Sequence, residues 1–173
     1  DILDMIDWAS DISVDTPKKT TINANIPTTR QVIEFTDRYM KDTARFTGYD
    51  ASEGALYVLF MLTLAMHPMG PSIFSVDSFD HALNPRLAKK MIQVFCEQII
   101  QNNKHVFLTT HNPLVLDGLD LQNDDIRLFA VDRDSNGYAQ IRRISVSQEL
   151  IDEGLPLSRL WISGRLGGVP SLL

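Results

Sequence analysis

Apolar residues fall along this chain in blocks of two kinds. Short continuous runs bounded by turn residues predict buried strands, and longer blocks at a spacing near 3.6 predict helices. Ile73, Phe74 and Val76 form a short β-favouring run behind Gly70-Pro71, which predicts a buried strand of a parallel sheet. Lys104 to His111 holds a second run of this kind, with His111 at its C-terminal end. Between them, Leu87, Met91, Val94, Phe95, Gln98 and Ile99 recur at helical spacing, with Arg86, Lys89, Lys90 and Glu97 mostly elsewhere. This predicts a helix from Pro85, which suits a first turn, to about Gln101. A strand–helix–strand order makes the two strands parallel neighbours or close to it. Upstream, Ala55 to Met66 is helix-length, with Leu56, Leu59, Phe60, Leu62, Thr63 and Met66 on a wide buried face. Ser52 is its expected N-cap, and Gly54 permits close backbone approach.

The flanks are less regular. Asp1 to Ala9 carries Ile2, Leu3, Met5, Ile6 and Trp8 and reads as the end of a helix. Asp11 to Pro27 is rich in Thr, Asp, Asn, Lys and Pro, which predicts an irregular connection with one short strand. Thr29 to Phe35 and Arg38 to Phe46 are expected to pair as strands. Arg30, Arg38, Lys41 and Arg45 would then form a modest basic face, better read as solvated strand edges than as a DNA contact. Asn112-Pro113 starts a short helix to about Leu116. Ile126 to Asp132 and Tyr138 to Ile144 alternate around Asp134-Ser135-Asn136-Gly137, a hairpin signal. Short helices are expected over Ser147 to Asp152 and Ser158 to Ile162, followed by turns at Gly164, Gly167 and Gly168. The pattern as a whole predicts an α/β fold, parallel strands flanked by helices with an added antiparallel part.

Composition narrows this picture. At 173 residues and 44% hydrophobic content, the chain is expected to be one folded, soluble domain or most of one. The net charge of −6 leaves no general basic footprint for nucleic acid. Cys96 is the only cysteine, so no intrachain disulfide can form, and a reducing, cytoplasmic location is expected. Its small size on a helix points to packing before reactivity. No apolar run reaches membrane-spanning length, and no membrane partner is expected. The chain starts at Asp1, and it reads as a piece of something longer.

Three features bear chemistry. Asp77 sits at the C-terminal end of the first central strand, where open α/β sheets place ligand contacts. A carboxylate there can hold Mg²⁺ beside nucleotide phosphates, although a capping Asp at a strand-to-helix turn is the simpler reading of this stretch alone. Ser52-Glu53-Gly54 opens a helix whose free amides can bind phosphate. His111 ends the next strand after a crossover helix. Each is weak alone, but all three lie at element ends facing one sheet edge.

Set in this order, the motifs resemble the C-terminal half of an ABC-type P-loop ATPase head, near the SMC, RecF and OLD families. Within that group the chain is similar to ATPases of phage-defence systems, including Septu and retron-associated ones. The resemblance covers about Thr43 to Leu119, and more weakly Leu160 to Pro170. It implies a P-loop NTPase-like α/β lobe with a mainly parallel sheet. It also implies roles. Ser52, Glu53 and Gly54 match the signature motif that contacts ATP held by the opposite subunit. Ile73 to Asp77 match Walker B, with Asp77 on the Mg²⁺ side. Asp80 to Pro85 match the D-loop, and His111 the switch histidine. The resemblance implies ATP and Mg²⁺ as ligands, a homodimer with ATP sandwiched between heads, and a protein effector, either nuclease or toxin, with nucleic acid a further partner.

The chain departs from that pattern twice. No G-x-x-x-x-G-K-[ST] occurs in these residues, and no glutamine loop can be placed, so these residues alone are not expected to make a complete nucleotide site. Ser78 stands where the family usually carries a glutamate that orients or deprotonates the attacking water. Asp80 is the candidate substitute. The alternatives are a hydrolysis-poor, ATP-gated scaffold that regulates an effector, or a DNA-repair ATPase. A TOPRIM nuclease reading fits poorly, because Asp132 and Asp134 read better as parts of the hairpin.

Overall fold

A computed structural model describes residues 2–16, 31–40, 45–145 and 154–166. The chain divides into two compact units, Asp1–Leu64 and Ala65–Leu173.

In the first unit a short 3₁₀ turn, Ile2–Asp4, leads into β1 (Ala9–Asp15). The helix end expected over Asp1 to Ala9 is therefore a single 3₁₀ turn and a loop. Its apolar residues serve a sheet instead: Trp8 packs its ring on Phe35 at 5.5 Å and edge-on to Phe46 at 6.2 Å. β1 pairs antiparallel with β2 (Val32–Asp37), and β2 with β3 (Arg45–Thr47). The expected pairing of the two later strands is present, but residues 38–40 are a bend and the second of these strands is described only from Arg45; residues 41–44 lie outside the described residues. Glu34 is buried on β2 and is met by Arg45 Nη1 at 3.3 Å, while Arg38 donates to the Ala9 carbonyl at 3.2 Å. These two cations are thus engaged within the sheet; Arg30 and Lys41 lie outside the described residues.

α1 spans Glu53–Met66. Its buried residues are Ala55, Val58, Met61, Leu62 and Ala65. Of the face expected from sequence only Leu62 is buried, and Phe60, Thr63 and Met66 are exposed. The helix is apolar nearly all round, so no polar stripe marks its outward side in the sequence.

In the second unit β4 (Ile73–Val76), α2 (Pro85–Gln101) and β5 (His105–Leu108) form the expected crossover, with β4 and β5 paired in parallel. Asn84 caps α2 by accepting from Leu87 N–H at 2.9 Å, and Pro85 occupies the first turn. Ala88, Met91, Ile92, Phe95 and Ile99 are its buried residues. Phe95 meets Phe74 of β4 edge-on at 6.4 Å. The strands are not buried as expected. Ile73 is 64% and Phe107 72% exposed, because α2 covers one face of a two-stranded sheet and the alternate residues point to the other.

α3 (Pro113–Leu116) follows, capped by Asn112. The hairpin is β6 (Leu128–Arg133) and β7 (Ala139–Ile144). In its turn, Asp134 accepts from the N–H groups of Asn136 and Tyr138, both at 2.9 Å, and Gly137 takes φ +86°. The Tyr138 bond first, then those from Asn136, Gln140 and Gly137, hold the Asp134 carboxyl below its ordinary pKa. This assigns Asp134 to the turn. Ala130 and Ile144 pack with Leu160 and Leu166 around the last helix, α4 (Leu157–Ile162). Asp117 caps that helix from a distance in sequence, accepting from Ser158 N–H at 2.8 Å and Ser158 Oγ at 2.7 Å. Asp117→Ala should lower stability by about 1–2 kcal/mol in a denaturant titration, since both donors are part-buried. An unchanged midpoint would show that water replaces the cap. The helix expected over Ser147 to Asp152 and the turns at Gly167 and Gly168 lie outside the described residues.

The fold is α/β, but the sheet expected to be mainly parallel is not. Among the described residues only β4 and β5 are parallel; the three-stranded sheet and the hairpin are antiparallel. No described helix is long and apolar enough to cross a membrane.

Candidate functional site

Both central strands run the same way, so their C-terminal ends lie side by side. The strand ladder continues past β4 and β5 in two backbone bonds, Thr109 N–H to Val76 O at 3.1 Å and Phe79 N–H to Thr109 O at 2.8 Å. These set the chain after β4 against the chain after β5. Asp77 is the first residue beyond β4 and is exposed. Its carboxylate accepts a hydrogen bond from the Thr109 hydroxyl, which in turn accepts from Ser78 N–H at 2.9 Å. Thr110 Oγ1 donates to Asp80 Oδ1 at 2.6 Å and accepts from Asn112 N–H at 3.0 Å. His111 is exposed and follows directly. It stands three residues beyond the strand end, not on it.

The loop between the acids is held in an unusual shape. Ser78 has φ +54° and Ala82 φ +61°, both in the left-handed region. Phe79, between Ser78 and Asp80, is fully buried and packs on Phe95 at 5.4 Å. One buried ring therefore anchors a loop whose neighbours on either side face outward or lie half-buried. The structure brings Asp77, Ser78, Asp80 and His111 to one place. Sequence reading missed Thr109, Thr110 and Phe79. The Thr-Thr pair between the strand and His111 was the available signal, because two hydroxyls there stand beside the acids that follow β4.

Ser52, Glu53 and Gly54 lie in the first unit, at the start of α1. Ser52 caps the helix as expected, its Oγ accepting from Ala55 N–H at 3.3 Å. The preceding turn is braced by Thr47, whose hydroxyl donates to Asp50 at 2.7 Å and whose carbonyl accepts from the N–H groups of Asp50 and Ala51. Cys96, half-buried on α2, has its thiol pushed up to about 11 by burial and by the neighbouring Glu97 charge, so it is protonated at neutral pH.

The oxygen donors at the strand ends are the carboxylates of Asp77 and Asp80 and the hydroxyls of Thr109 and Thr110. No cluster of three or more His, Cys, Asp or Glu that could cage a metal occurs among the described residues. That chemistry fits Mg²⁺, which takes one or two carboxylates and completes its shell with phosphate and water.

The family model described as "AAA domain, putative AbiEii toxin, Type IV TA system" matches residues 9–117. The chain belongs to this family. The match spans β1 through α3 and so includes the helix start at Ser52, the strand-end acid Asp77 and His111. Among solved structures, one from work described as "Structural biochemistry of ATP-driven dimerization and DNA stimulated activation of SMC ATPases" matches with a TM-score of 0.52. It shares 10% sequence identity and covers 87% of this chain and 85% of its own. At that identity the likeness is one of fold, and the fold is P-loop NTPase-like. No curated protein matches the chain. Family and fold together support an ATPase role.

Proposed function

We propose that the chain supplies half of a composite ATPase site, in which two copies close around ATP to control a partner effector of a bacterial defence system. The observation that carries this reading is the hydrogen-bonded cluster Asp77–Thr109 and Asp80–Thr110 at the paired strand ends, with His111 next in line. Asp77 would hold Mg²⁺ there, and the ion when bound would draw charge from the phosphates. His111 would approach the γ-phosphate. In the other unit, Ser52 and the amides of Glu53 and Gly54 at the α1 start would receive phosphate oxygens from the opposite copy. These residues carry no glycine-lysine P-loop motif, so the remaining phosphate contacts fall to other parts of the assembly.

Hydrolysis needs a group to take a proton from water as its oxygen bonds to the γ-phosphorus and the bond to ADP breaks. Ser78 has no carboxylate. Asp80, two residues on, is half-buried and positioned by Thr110, and we assign it that role. The partner effector would be a nuclease or a toxin, with nucleic acid a further candidate partner.

Ser78 itself favours a second reading, in which hydrolysis is slow and the ATP-closed dimer acts as a clamp. Turnover and ATP-dependent self-association of the chain together with the P-loop-bearing part of the assembly, measured for wild type and Ser78→Glu, separate the two. An active wild type little changed by Ser78→Glu supports Asp80 as the base. Dimers with little turnover that gain about 10²-fold with Ser78→Glu support the clamp. No ATP binding by wild type would refute both.

A further inference from the structure

We infer that Thr110 is a positioning residue for the proton acceptor of this site, and that the Thr109-Thr110 pair couples both acids to the segment carrying His111. The inference rests on the ATPase reading above.

Adjacent residues of an extended segment point to opposite sides, so two neighbouring threonines reach two different targets. Thr109 serves the strand-end acid Asp77, and Thr110 serves Asp80 three residues further along the other chain segment. Each hydroxyl is used in both directions. Thr109 donates to a carboxylate and accepts from Ser78 N–H at 2.9 Å; Thr110 donates to a carboxylate and accepts from Asn112 N–H at 3.0 Å. A hydroxyl that donates and accepts at once has its proton direction set, so the carboxylate oxygen it faces is set too. In Asp80 that oxygen is Oδ1, at 2.6 Å. Oδ2 is the oxygen Thr110 does not engage, and it is the one that would take the proton of an attacking water.

The surrounding structure holds this geometry. Asp80 lies between Ser78 at φ +54° and Ala82 at φ +61°, two non-glycine residues in the left-handed region, which persist only where their surroundings fix them. Buried Phe79 and its N–H bond to Thr109 O hold the loop in place from below. The loop's backbone is fixed without Thr110, so the Thr110 hydroxyl is left to orient one side chain. The same residue bonds the N–H of Asn112, the cap of α3, immediately after His111. A shift of the His111 segment therefore moves Thr110 and re-aims Asp80. This ties proton acceptance to the position of the histidine that meets the γ-phosphate.

The test is steady-state ATP turnover, with the P-loop-bearing part of the assembly present, for wild type, Thr110→Val, Thr110→Ser, Asp80→Ala and the double variant Thr110→Val/Asp80→Ala, with thermal midpoints in parallel. Valine keeps the shape and removes the hydroxyl; serine keeps the hydroxyl. We expect Thr110→Val to lower kcat by ~10–100-fold with little change in KM for ATP. Thr110→Ser should stay near wild type, and the double variant should be no slower than Asp80→Ala alone. Wild-type kcat in folded Thr110→Val, or losses that multiply in the double variant, would overturn the inference while leaving the ATPase reading intact. If the valine variant does not fold, Thr110→Ala carries the same expectations. Wild type without turnover would remove the ATPase reading, and this inference with it.

Discussion

Asp77→Asn should lower ATP turnover, measured with the P-loop-bearing part of the assembly present, by at least ~10²-fold while leaving the thermal midpoint of the chain within about 2 °C of wild type. The amide keeps an oxygen that accepts from the Thr109 hydroxyl, so the link across the two strand ends survives. What it removes is the negative charge. If Asp77 only caps the turn after β4, charge is irrelevant and Asp77→Asn turns over ATP normally. If Asp77 faces Mg²⁺, the loss is electrostatic, and the Thr109 hydroxyl beside it carries no charge to replace it. Asp77→Ala should lose activity as well, together with the Thr109 bond and some stability. Turnover retained in Asp77→Asn would return the residue to the structural role.

Gly118→Ala should destabilise the protein by about 3 kcal/mol or more, at or beyond the upper end of ordinary overpacking. A methyl group at this position would sit 2.4 Å from Ile92 Cγ2 and 2.5 Å from the Lys89 carbonyl oxygen, both on α2. The isoleucine can turn aside, but a helix carbonyl cannot. The segment after α3 must then move off α2. Asp117 is the preceding residue and holds the start of α4 through Ser158, so that cap is strained in the same step. A loss of this size corresponds to a fall in the thermal midpoint of roughly 6–12 °C. Combining Gly118→Ala with Ile92→Ala should recover only part of it, since the carbonyl contact remains. A Gly118→Ala protein with the wild-type midpoint would mean that the chain can part from α2 freely.

Much of the local structure was legible in the sequence. The helix from Pro85 to Gln101 carries its own start signal in Pro85, which occupies the first turn. The hairpin around Asp134 to Gly137 follows from turn chemistry that acts over four residues. Ser52 as the cap of α1 and Asn112-Pro113 as a helix start are local in the same sense. The candidate site was legible as far as residue types at strand ends go: Asp77, Asp80 and His111 stand out because acids and a histidine follow short apolar runs. The helix expected over Asp1 to Ala9 failed because its apolar residues answer to Phe35 and Phe46, some tens of residues away.

What the sequence determined by itself was therefore the order of elements, their caps and turns, and the chemical types available after each strand. Those depend on interactions within a few residues. Only the tertiary structure decided which face of α1 is buried, since an almost wholly apolar helix has no phase of its own. It alone showed that β4 and β5 keep one face open, that antiparallel pairing outweighs parallel among the described residues, and that Gly118 must be a glycine because α2 passes there. It also joined Thr109 to Asp77 and Thr110 to Asp80. Those partners lie 32 and 30 residues apart; the crossover order predicts that the two strands run parallel, but only their register, which no local signal encodes, decides which hydroxyl meets which acid.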